Sequence, residues 1–81
     1  MIHLLDTREF DHPVPLEMAV SAFKQLQGDD VIHMIHRREP LPLFEIIAKN
    51  GGRHLSFSAG ERVWHIYIAK SPDVDLEKYR V

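Results

Sequence analysis

The chain has no cysteine among its 81 residues. Disulfides, thiolate metal ligands and every thiol or persulfide mechanism are excluded with it. Net charge is also small, with ten Lys and Arg against twelve Asp and Glu, or −2 with neutral histidines. A sequence-independent grip on nucleic acid needs Lys and Arg in excess to displace counterions from phosphates, so no nucleic-acid partner is expected. No apolar run approaches the ~20 residues that cross a bilayer. Met1-Ile2-His3 lacks the basic and apolar regions of a secretory signal. The expectation is therefore no membrane association and a cytoplasmic location. Hydrophobic and charged fractions of 44% and 27% are those of an ordinary globular protein. A chain this short buries roughly 60% of its unfolded surface, enough for a two-layer core without a deep enclosed cavity. Any site should be a surface cleft.

What is present is organised around residues Leu5 to Leu16, where a short apolar strand ends in charge and a helix begins through Pro13 and Pro15. Proline has a fixed φ and no N–H, which suits the first turn of a helix. Leu16, Ala19, Val20, Phe23 and Leu26 then recur at spacings of three and four, one helix face, while Glu17, Ser21, Lys24 and Gln25 face away. Gly28 is expected to close this helix as a left-handed cap. His12 falls at the helix N-terminus, where unpaired N–H groups disfavour positive charge.

Ile2 to Asp6 reads as a first strand and Val31 to His36 as a second, apolar on both faces and hence central. Pro40 and Pro42 repeat the earlier proline spacing and open a second, shorter helix that stops at Asn50-Gly51-Gly52. His54 to Ser58 and Val63 to Ala69 alternate with the period of strands and should form an antiparallel hairpin. The order predicts an α/β (α+β) two-layer sandwich, β-α-β-α-β-β. In it a four-stranded mixed sheet carries two helices on one face, because right-handed crossovers put both helices on the same side. Residues 1–70 form the domain on this reading, and 71–81 a C-terminal tail in which Val74, Leu76 and Tyr79 are available to dock.

Such a sheet brings the turns after its first two strands to one edge, beside both helix N-termini, where ligands collect in parallel sheets. Asp6, Arg8, Asp11, His12, Pro13, Pro15, His36, Arg37, Arg38 and Glu39 are the candidate ligand- or partner-binding residues there. Arg37 and Arg38 suit an anion.

Leu5-Asp6-Thr7-Arg8-Glu9-Phe10-Asp11-His12-Pro13-Val14-Pro15 resembles the helix-opening motif of the TusA/SirA-like sulfur-carrier family, approximately Leu-Asp-x-x-Gly-Leu-x-Cys-Pro-x-Pro. Glu9 stands where that family tends to have Gly, and His12 stands at the sulfur-carrying cysteine. The resemblance implies the fold without sulfur relay. It is closer to a cysteine-less, uncharacterised bacterial branch with a second Pro-x-Pro-Leu, here Pro40 to Leu43, whose members look like stand-alone domains or partners fused to other modules, so that it implies a fold and no activity.

Six histidines raise a metal alternative. His12 and His36, with Asp11 or Glu39, would make an open divalent-metal site. His33 and His36 should point to opposite faces, and His54 and His65 are placed to meet across the last hairpin. No other cofactor is named by these residues. His12 with Asp11 or Glu39 is also an acid and base pair, but an open 81-residue domain encloses little substrate, which argues against an autonomous enzyme. The leading reading is a small module that recognises a protein partner or small anion at the His12 edge.

Overall fold

The computed structural model describes residues 1–80. Strand β1 (Ile2–Asp6) is followed by helix α1 (Val14–Lys24), β2 (Val31–His36), α2 (Leu41–Lys49), β3 (Arg53–Gly60) and β4 (Val63–Ala69), and a 3-10 helix spans Leu76–Tyr79. The sheet order is β1-β2-β4-β3, with β1 parallel to β2 and the other pairings antiparallel. The strands rich in β-branched residues, β2 and β4, take the centre, where both faces are covered. β1 lies at the edge and is mostly exposed.

Both helices lie on one face. Ala19, Phe23 and Leu26 from the first helical stretch and Leu43 and Ile47 from α2 pack on Ile32, Met34, Ile66 and Ile68 of β2 and β4. Gly52 sits where a Cβ would come within 2.4 Å of Ile47 and 2.5 Å of Phe23, so the chain leaves α2 close against this core. The first helix ends earlier than its apolar spacing suggests. Gln25 caps it, its N–H reaching Ala22 O while the Leu26 N–H reaches Phe23 O. Gly28 does adopt a left-handed φ of 55°, but in the following turn and not as the cap.

The opposite face is not bare. Val74 and Leu76 of the tail pack with Val31, Leu55, Tyr67 and Ala69 into a second cluster, with Phe57 and Tyr79 at its margin. Arg53 fastens the tail by donating to Ser71 O at 2.6 Å and Val74 O at 2.8 Å. This second cluster explains a correction in the hairpin. Leu55 pairs with Tyr67 and Phe57 with His65, which places His54 opposite Ile68 on the helix side, stacked on Phe44 at 3.7 Å. His54 and His65 therefore lie on different faces and do not meet. The histidine that reaches His65 is His33, Nε2 to Nδ1 at 2.7 Å.

Candidate functional site

The parallel pairing of β1 with β2 continues one residue past β1. Thr7 N–H donates to Ile35 O at 2.9 Å, and the Thr7 side chain, fully buried, turns toward the helices as Leu5 does before it. Its hydroxyl donates to Ile35 O at 3.0 Å and has one hydrogen, so the 3.0 Å contact with His36 Nδ1 is donated by the imidazole. Thr7 thus holds His36 as the Nδ1–H tautomer, leaving Nε2 as the nitrogen with the lone pair. His36 is 8% exposed. Burial lowers its pKa, hydrogen bonding to the Thr7 backbone opposes this, and the Arg37 and Arg38 charges act with burial. The ring is neutral at pH 7.

Around His36 lies a cleft of about 180 Å³, between the first turns of the two helices. Met34 and Leu43 form its floor, Pro15, Leu16, Pro40 and Pro42 its apolar walls, and His12, His36, Arg37, Arg38 and Glu39 its polar lining. Proline shapes the start of each helix. Pro13, after a cis His12–Pro13 peptide, and Pro40 occupy the positions before the two helices, and neither helix has a side-chain cap. Arg37, at the end of β2, ties down the segment that leads into α1, its Nη2 donating to Phe10 O at 2.9 Å and Asp11 Oδ1 at 2.8 Å. Its Nε–H is buried with no acceptor among the described residues. Arg38 has neither ion pair nor hydrogen bond from its side chain among the described residues. Glu39 accepts from Ser56 Oγ at 2.7 Å.

Of the residues expected at this edge, His12, Pro15, His36, Arg37, Arg38 and Glu39 line one cleft, and Asp11 reaches it through Arg37. Pro13 sets the start of α1 without lining the cleft. Asp6 and Arg8 turn to each other instead, Nε to Oδ1 at 3.0 Å and Nη2 to Oδ2 at 2.7 Å, beside a separate hollow with Glu9. The Arg8 guanidinium holds the Asp6 carboxyl down to about 2. Among the described residues no three His, Asp or Glu side chains gather to hold an ion. At this edge Asp11 accepts from Arg37 and Glu39 from Ser56, while His36 uses Nδ1 on Thr7 and keeps Nε2 open.

A family model described as an uncharacterized conserved protein, DUF2249, matches residues 4–70, from within β1 to just beyond β4. The chain belongs to the DUF2249 family. No curated protein and no solved structure matches it. Both proline-opened helices and every residue of the cleft fall inside the DUF2249 match.

Sequence reasoning passed over Thr7 and Ser56 in this DUF2249 domain. Thr7 has a usable signal: the inward parity of Leu5, carried two residues on, turns Thr7 toward the core. The other omission is on the far face, where His33 stacks on Tyr67 at 4.3 Å and Tyr67 on Tyr79 at 4.5 Å. That ladder depends on the β2–β4 register, which opposes His33 to Tyr67.

Proposed function

We propose that this DUF2249 domain is a cytoplasmic recognition module of the TusA/SirA-like type, without sulfur transfer, that binds an anionic group of a protein partner or small molecule in the His12–Arg38 cleft. One observation carries the reading. Two helix N-termini, two arginines and two histidines converge on an apolar-walled cleft in which the Arg38 guanidinium has no acidic partner among the described residues. The leucine-aspartate strand end and the Pro13-x-Pro15 helix opening support the TusA/SirA-like likeness. Recognition is favoured over catalysis because Asp11 and Glu39, the carboxylates that would work with His12, are engaged by Arg37 and Ser56. A net charge of −2 speaks against nucleic acid as the partner.

The test is capture of partners by wild type and by His12→Ala/Arg38→Ala at matched melting temperature. Both side chains are polar lining of the cleft, and Arg37 is left intact because it anchors the Phe10–Asp11 segment. Loss of capture in the variant is expected. Equal capture by the two proteins overturns the reading.

A further inference from the structure

The charges and walls of the cleft restrict what it can hold. Arg37 and Arg38 bring two positive charges, and Asp11 and Glu39 two negative ones, so the rim is close to neutral overall. A dianion meets as much repulsion as attraction there. A monoanion can pair with Arg38, whose guanidinium has no partner among the described residues, and with Arg37, of which Phe10 and Asp11 engage Nη2 alone. The walls of Leu16, Pro40 and Pro42 offer hydrocarbon and favour a ligand with an apolar body. The volume of about 180 Å³ compares with the ~150 Å³ apolar cavity that admits benzene, so a body of five or six carbons fits.

We infer that the cleft binds a small aliphatic monocarboxylate, its carboxylate on Arg38 and Arg37 and its hydrocarbon against Leu16, Pro40 and Pro42. The inference rests on the reading of this cleft as the recognition site and adds the chemical class of its ligand.

The probe is 4-methylpentanoate titrated into the full ¹⁵N-labelled chain, followed by amide shifts. Saturable shifts are expected in residues 12–16 and 36–43. Loss of a hydrogen bond to a charged group costs about tenfold or more in affinity. Arg38→Gln and the neutral analogue 4-methylpentanamide should each bind at least that much more weakly. Acetate, which lacks the hydrocarbon, and sulfate, a dianion, should be weaker still. Equal affinity for acid and amide, tighter binding of sulfate, or no saturable shift overturns the assignment. So does tighter binding of a peptide with a free C-terminal leucine, which would transfer the cleft to a protein terminus. Failure of the acid to bind while His12→Ala/Arg38→Ala still loses partner capture refutes the carboxylate assignment alone. Failure of both refutes the cleft as the recognition site.

Discussion

Replacing Thr7 with valine isolates the contact that orders the cleft. The side chain is fully buried and its hydroxyl serves Ile35 O and His36 Nδ1. Valine keeps the shape and the backbone bond, so Ile35 O retains the Thr7 N–H at 2.9 Å. His36 Nδ1–H, on a ring only 8% exposed, loses its acceptor. One buried donor left unpaired costs about 1–3 kcal/mol. In a domain of this size each kcal/mol moves the melting temperature by about 4–8 °C, so a fall of roughly 4–24 °C is expected by calorimetry. Thr7→Ser, which keeps the hydroxyl, should fall less. Histidine ¹⁵N shifts read the same contact directly, and wild-type His36 should be the Nδ1–H tautomer. A valine variant within a degree of wild type, or an Nε2–H tautomer in wild type, refutes the assignment.

Stability should depend on pH in two steps. Burial lowers the pKa of His33, His36 and His54 from the ordinary 6.5, so the unfolded chain takes up protons that the folded one does not; the melting temperature should fall as pH drops below about 6.5, and a flat profile from pH 7.5 to 5.5 would contradict this. Asp6, Asp30 and Glu77 are lowered by Arg8, His3 and Arg80 respectively, and their contribution should fade as pH falls below about 4. Gly52→Ala forces a Cβ onto Ile47 and Phe23 and should cost about 1–3 kcal/mol in denaturant unfolding, whereas Gly51→Ala meets no atom within 4 Å and tests only its left-handed backbone. Leu76→Ala opens the cluster beneath the tail and should cost about 2 kcal/mol; no loss would mean that the tail adds nothing to the fold.

The fold was legible because its signals are local and agree. Prolines at the start of both helices, a 3.6-residue apolar stripe in each helix and a nearly continuous apolar β2 leave few arrangements, and the right-handed crossover rule selects among them. The cleft residues were legible for the same reason, since topology alone brings the ends of β1 and β2 together. Hairpin register was not. The parity of β3 identifies Leu55 and Phe57 as one face, but nothing in β3 says that a second core, closed by Val74 and Leu76, receives that face in place of the helices. His54 was consequently assigned to the wrong side. Thr7 was missed because a threonine after a strand end usually faces solvent, and only the extra rung of pairing with Ile35 draws it inward. Asp6 and Arg8 were grouped with the cleft by proximity in sequence, whereas a two-residue spacing lets them satisfy each other.

Two surfaces compete for the role of recognition site: the cleft between the helix N-termini, proposed above, and the far sheet face, where Phe57, His65 and Tyr67 border a second hollow. An unbiased screen of small fragments against the ¹⁵N-labelled chain compares them directly. Hits are expected to shift amides 12–16 and 36–43. Hits that gather instead at residues 57–59 and 65–67 would contradict recognition at the cleft.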